Sequence, residues 1–258
     1  MLKLFRRSRN TVVDDGEPGP FPSVGEGRRV YAIGDIHGRL DLLRDLTARV
    51  IEDARARGAV GSLQLVLLGD LVDRGPDAAG VVDLVIRLSR AWPAFTCLMG
   101  NHEEVFHMAL CGDLGALQFF TRIGGRETLL SYGVEEELVD GDDEERLLAR
   151  LLECVPQAHR DFIADLPHSL AIGDYLFVHA GIRPGVPIDE QKPRDMHWIR
   201  EEFLRSEDRH SHMVIHGHNI TPVVDEQPNR IGIDTGAYAS DHLTAIGLEG
   251  TDRWFLST

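Results

Sequence analysis

The sequence predicts an α/β fold with a helical cap, and three features predict it. Short apolar runs recur, each ending abruptly in Gly and a polar or charged residue; amphipathic helical patterns separate the first three runs; and a long, mostly helical stretch follows. The runs are rich in Val, Ile, Leu and aromatics, as buried strands are. Val30 to Ile33 meets Gly34-Asp35, Leu63 to Leu68 meets Gly69-Asp70, and Phe95 to Met99 meets Gly100-Asn101. Between them, Leu40 to Arg57 puts Leu42, Leu43, Leu46 and Val50 on one helical face. Pro76 to Arg90 does the same with Val81, Val82, Val85 and Leu88. The order is β-α-β-α-β, and such long crossovers favour parallel neighbours whose C-terminal ends share one edge.

Residues from about Glu103 to Asp165 read as helical, with a break at Gly124-Gly125, and form the expected cap. Strands then return: Tyr175 to Val178 before His179, Met213 to Ile215 before His216-Gly217-His218, then Ile231 to Ile233, Leu243 to Leu248 and Trp254 to Leu256. Ordered structure is expected from Arg28 onward as one domain, residues 28–258, after a flexible tail of residues 1–27. The tail's tip, Met1 to Asn10, mixes Lys3, Arg6, Arg7 and Arg9 with Leu2, Leu4 and Phe5, and no apolar window is of membrane-spanning length. The acidic run Glu135 to Glu145 reads as a solvated loop and helix start.

The 258 residues, 43% hydrophobic, suffice for one sizeable core. A formal charge of −15 repels nucleic-acid backbones and acidic membranes, which excludes long DNA or RNA as the expected partner. Cys97, Cys111 and Cys154 lack metal-site or disulfide spacing, so a reduced, cytoplasmic setting is expected. Oligomeric state is silent in the sequence.

The strand ends carry the chemistry. Asp35 and His37, two apart on extended backbone, point the same way and can reach one ion. Asp70 has two oxygens with which to bridge two cations, Asn101 offers a neutral amide oxygen, and His179 and His218 complete the set. By spacing alone His216 serves as well as His218. A lone Asp after a strand is usually a cap or turn residue, and a lone His is usually just packed. Such residues at one strand end after another are not explained that way. Oxygen and nitrogen donors without thiolate suit two transition-metal ions, Mn first, with Fe or Zn also accommodated. Such a pair clamps an in-line displacement at phosphorus and supplies a water-derived nucleophile.

Gly34-Asp35-Ile36-His37-Gly38, Gly69-Asp70-Leu71-Val72-Asp73-Arg74-Gly75 and Gly100-Asn101-His102-Glu103 resemble the three signature motifs of the PPP family of metallophosphatases, within the calcineurin-like phosphoesterase superfamily. His179-Ala180-Gly181 and Gly217-His218 resemble its two later histidine motifs, and the match selects His218 over His216. The segments around Gly124-Gly125, Thr128-Leu129 and Ser131-Tyr132-Gly133, with Trp198-Ile199-Arg200, resemble the bacterial serine/threonine phosphatase branch. The resemblance implies a metallophosphoesterase-type central β-sandwich flanked by helices. It implies that Asp35, His37 and Asp70 hold one metal and that Asp70, Asn101, His179 and His218 hold the other. It further implies that Arg74 and Arg200 bind phosphate oxygens and that His102, held by Asp73, protonates the leaving group. Asn219 departs from the family, which usually has Thr there.

On this basis the expected activity is hydrolysis of phosphoserine and phosphothreonine in a phosphorylated protein. The alternative is a diadenosine tetraphosphate hydrolase. That branch usually has Ala in place of Asp73 and Asp in place of Glu103, so the pair present here favours the protein phosphatase. A binding module that had lost catalysis would lack a ligand or the acid, and none is missing. His107, His159, His168, His210, His212 and His242 are expected to be surface or packing residues.

Overall fold

The computed structural model describes residues 21–92 and 94–258; the basic tip Met1–Asn10 and the linker after it lie outside the described residues. The first sheet holds β1 (Arg28–Ile33), β2 (Ser62–Leu67) and β3 (Phe95–Cys97), joined by α1 (Leu40–Ala56) and α2 (Ala78–Ala91). β1 pairs β2 and β2 pairs β3 in parallel, as the crossovers require. The last two strands of the chain, Thr244–Glu249 and Asp252–Ser257, add antiparallel to the free side of β1.

The second sheet contains β4 (Ser169–Ile172), β5 (Tyr175–Val178), β6 (Met213–His216), β7 (Asp225–Glu226) and β8 (Arg230–Gly232), in the order β4-β5-β6-β8-β7. The final strands, β9 (Thr244–Glu249) and β10 (Asp252–Ser257), are those of the first sheet.

Side-chain alternation builds the layers. Val30, Ala32, Val66 and Leu68 face Tyr175, Phe177, Ile215 and Ile231 of the second sheet, forming the sandwich core. Tyr31, Ile33, Leu65 and Leu67 face the opposite way, into a larger core with Leu43, Leu46 and Val50 of α1 and Val81, Val82 and Val85 of α2. On the outer face of the second sheet, Leu176, Val178 and Val214 pack against α9 (Pro193–Trp198) and α10 (Glu201–Leu204) through Met196 and Phe203. The result is the expected β-sandwich flanked by helices.

The stretch expected as a cap is helical, running through α3 (Asn101–Leu110), α4 (Leu114–Phe120), α5 (Arg126–Ser131), α6 (Glu136–Val139), α7 (Glu144–Cys154) and α8 (Gln157–Ala164). It shares its core with α1 and α2, since Phe106, Phe120, Leu129 and Leu151 belong to the same buried cluster as Leu43 and Val82. It is therefore a continuation of the helical layer. Packing also begins ahead of Arg28. Val24 is fully buried and its N–H donates to Gly250 O, while Ser23 N–H donates to the Asp174 carboxylate. No helix among the described residues is long and apolar enough to cross a membrane.

Candidate metal centre and phosphate site

Each of the six expected metal ligands lies past a strand end, on the edge where the two sheets meet, whereas Arg200 lies between α9 and α10. Asp35 and His37 follow β1, Asp70 follows β2 and Asn101 opens α3 after β3; His179 follows β5 and His218 follows β6. The turns are tight enough to force unusual backbone. Six non-glycine residues have positive φ among the described residues, and five are His37, Asp70, Asp73, Arg74 and His218. Such conformations cost about 1–3 kcal/mol each and persist only where surroundings enforce them.

Glu103 is one enforcer. Its buried carboxylate accepts from Asp70 N–H (2.7 Å), Leu71 N–H (2.7 Å), Val72 N–H (3.2 Å) and Gly100 N–H (3.1 Å). Burial, then Asp70, pushes its pKa up to about 8, against the pull of these donors. Glycine is required where backbone passes these carboxylates: a Cβ on Gly217 would strike Asp35 Oδ1, and one on Gly100 would strike Asp70 Oδ1.

The donor atoms converge. Asp70 Oδ2 lies 3.4 Å from His37 Nε2, and its Oδ1 lies 3.4 Å from His179 Nε2. His179 Nε2 is also 3.0 Å from Asn101 Oδ1 and 3.2 Å from His218 Nδ1. Two sets of donors form, His37–Asp70–His102 and Asp70–His179–His218, sharing Asp70. The protonation pattern suits cations. His37 Nδ1 faces Val72 O at 2.8 Å and His179 Nδ1 faces Leu68 O at 2.9 Å, which leaves each Nε2 lone pair pointing into the cluster. Burial lowers the pKa of His37 and His218, and that of His179 to about 3, so the rings stay neutral.

Burial, reinforced by Asp234 and Asp70, raises that of Asp35, whose Oδ1 has no hydrogen-bond partner among the described residues. A buried carboxylate oxygen without a partner, beside lone pairs of neutral imidazoles, is what a metal ion satisfies. The residues present fit metal ions.

The other expected groups surround this centre. His102 Nδ1 is 2.5 Å from Asp73 Oδ2, and both side chains are buried. Asp73 is itself held by Thr128 of α5, whose hydroxyl donates to Asp73 Oδ1 and accepts from Asp73 N–H, each at 2.8 Å. Arg74 spans the two histidines, donating to His37 Nε2 at 2.9 Å and to His102 Nε2 at 3.0 Å. Arg200 is exposed and donates to Asn219 Oδ1 at 3.0 Å, so the residue that departs from the family pattern supports an expected phosphate ligand.

His216 stays outside the cluster. Its ring packs edge-on against Phe203 with centroids 5.1 Å apart. Three residues escaped the sequence reading. Asp234 lies beside Asp35, with its pKa pushed up to about 6 by burial first; the short run Ile231 to Ile233 ending in an Asp was its signal. Tyr238 meets His37 and Arg74. The buried His197 contacts Glu104 at 3.3 Å and His168 at 3.0 Å, which makes His168 part of a pair.

The model of the calcineurin-like phosphoesterase family matches residues 28–244, a span that includes every one of these groups. The chain belongs to that family. Members of the calcineurin-like phosphoesterase family are hydrolases, and this one is similar to relatives of two kinds. It is 30% identical to a symmetrical bis(5'-nucleosyl)-tetraphosphatase of Dechloromonas aromatica over 60% of this chain and 44% of that protein. The chain spans about half the length of the symmetrical enzymes it matches. It is 26% identical to an asymmetrical bis(5'-nucleosyl)-tetraphosphatase of Anoxybacillus flavithermus over 83% of this chain and 88% of that protein. A shorter match, 36% over 30% of this chain and 31% of the other, is to serine/threonine-protein phosphatase 1 of Salmonella typhimurium. Among solved structures, one provisionally named a diadenosine tetraphosphatase covers 90% of this chain and 94% of its own, at TM-score 0.60 and 25% identity.

Proposed function

We propose that this phosphoesterase cleaves the phosphate anhydride of dinucleoside polyphosphates such as diadenosine tetraphosphate. The observation that carries this reading is the extent of likeness. The asymmetrical tetraphosphatase matches along most of both chains, and so does the provisionally named structure, whereas the protein phosphatase matches along less than a third. Asp35, His37 and Asp70 would hold one metal ion, and Asp70, Asn101, His179 and His218 the other. Mn is the first choice, with Fe and Zn suited to the same donors. When bound, such ions neutralise phosphate charge and lower the pKa of water. Arg74 and Arg200 bind phosphate oxygens through guanidinium donors, and Asp73 fixes the His102 ring so that its Nε2 stands beside Arg74, next to the phosphate that Arg74 would hold. Three free cysteines suit a reduced cytoplasmic setting.

One observation favours a second reading, the phosphoserine/phosphothreonine phosphatase. The Asp73–His102 pair supplies a positioned acid, which an alkoxide leaving group needs and a nucleotide phosphate does not. The two are separated by one Mn²⁺-loaded preparation assayed on diadenosine tetraphosphate and on a phosphothreonine peptide. Higher kcat/KM on the dinucleotide is expected; higher kcat/KM on the peptide overturns the first reading in favour of the second.

A further inference from the structure

Tyr238 is neither a metal ligand nor a phosphate ligand in the scheme above, yet it touches one of each. Its ring meets His37 edge-on with centroids 5.4 Å apart, and Arg74 Cζ lies 4.9 Å from its centroid. The short helix α11 (Ala237–Ser240) that carries it is pinned at both ends. Gly236 and Asp241 flank it in left-handed conformation, Gly236 N–H donates to Asp234 Oδ1 at 2.9 Å, and Arg39 donates to Ala237 O at 3.0 Å while pairing with Asp241.

Arg74 is braced from the cap side as well. Its N–H donates to Gly124 O at 2.9 Å, and a Cβ on Gly124 would lie 2.8 Å from Arg74 Cγ. The ring of Tyr238 is therefore held against Arg74 and His37, and the residue is 36% exposed. Beside Gly236 stands Ile220, 49% exposed, whose Cγ2 would lie 2.9 Å from a Cβ on that glycine. An aromatic residue at a polar site, open to solvent and fixed by its neighbours, presents a π-surface at little cost in side-chain entropy.

We propose that Tyr238 is a specificity-determining residue whose exposed ring stacks on the nucleobase attached to the phosphate chain held at the metal ligands. This deepens the dinucleotide reading and rests on it. A planar base gains from such a surface, whereas a bare phosphate chain gains nothing from it.

The test compares inhibitors that share a diphosphate but differ in the base. ADP and inorganic pyrophosphate are titrated against p-nitrophenyl phosphate hydrolysis by the full chain at fixed free Mn²⁺, with wild type, Tyr238→Ala and Tyr238→Phe. Circular dichroism and bound metal are checked for each. Tyr238→Ala should raise the inhibition constant of ADP about tenfold, as loss of one base–aromatic stack does. It should leave that of pyrophosphate within about twofold, and Tyr238→Phe should restore the ADP value. Equal rises for both inhibitors would place the effect in Arg74 and overturn the assignment, as would an unchanged ADP constant. If the wild type fails to cleave diadenosine tetraphosphate, the proposed function falls, and the comparison of ADP with pyrophosphate still decides the role of Tyr238.

Discussion

Asp70 and His102 sit within one buried cluster, with His102 Nε2 3.9 Å from Asp70 Oδ2, yet their neighbours assign them different work. Both oxygens of Asp70 face imidazole nitrogens, His37 on one side and His179 on the other. His102 is tied through Nδ1 to a second carboxylate, Asp73, which orients the ring and leaves Nε2 to Arg74. Removing Asp70 takes a donor from both sets, whereas removing His102 takes from the first set only a ring that Asp73 and Arg74 already engage. Asp70→Asn and His102→Asn should each lose activity, the latter by about 10²–10⁴ on an alkyl phosphomonoester and by less on an anhydride. Bound Mn, measured by plasma emission, should fall markedly only in Asp70→Asn. Equal metal loss in both variants would refute this division of roles.

At the scale of elements, the strands and helices nearest the site were the most legible, because buried parallel strands are continuous apolar runs and their crossovers are amphipathic. β4 and β7 were not. Ser169–Ile172 is half-exposed at a sheet edge and pairs with β5 across the turn at Gly173-Asp174, while β7 is two polar residues long. The expected metal ligands follow from local motifs. Asp234 and Tyr238 do not, because their importance comes from neighbours far away in sequence. The same is true of the clamp at Asp53, which joins three elements: it accepts from Tyr31 Oη of β1 at 2.6 Å, from Arg57 after α1 at 2.9 Å and from Trp254 Nε1 of β10 at 2.9 Å.

Burial raises the Asp53 pKa, but these three hydrogen bonds outweigh it and the net shift is downward. A carboxylate with a depressed folded pKa contributes stability above its unfolded pKa, and that contribution is lost as pH falls through the folded value. Asp53→Asn should therefore have a lower denaturant midpoint than wild type at pH 7. The gap should close as pH falls below the ordinary carboxylate range, about 4. A gap that persists unchanged in acid would assign the loss to shape and not to charge.

Across the whole molecule, the candidate centre lies where the two sheets share an edge, and its donors come from both. Asp35, His37, Asp70 and Asn101 belong to strand ends of the first sheet, His179 and His218 to those of the second. The sandwich core beneath is apolar, whereas the rim gathers the buried carboxylates of Asp35, Asp70 and Asp234, of which burial raises every pKa. A rim that carries unneutralised acids is costly to fold. Bound cations would offset that cost and tie the sheets together, so metal binding and folding are linked. A ligand at about 100 times its dissociation constant adds about 2.7 kcal/mol. In a domain of this size that corresponds to a rise in Tm of about 5–10 °C. Thermal unfolding of the chelator-treated chain, before and after added Mn²⁺, should show a rise of that order, and Mg²⁺ at equal concentration should give less, because imidazole donors suit it poorly. The rise should shrink in Asp70→Asn, which weakens both sets, and persist in His216→Asn, since His216 packs on Phe203 outside the cluster. A Tm indifferent to Mn²⁺ in wild type would mean that these donors are satisfied by one another and that the centre does not bind the ion.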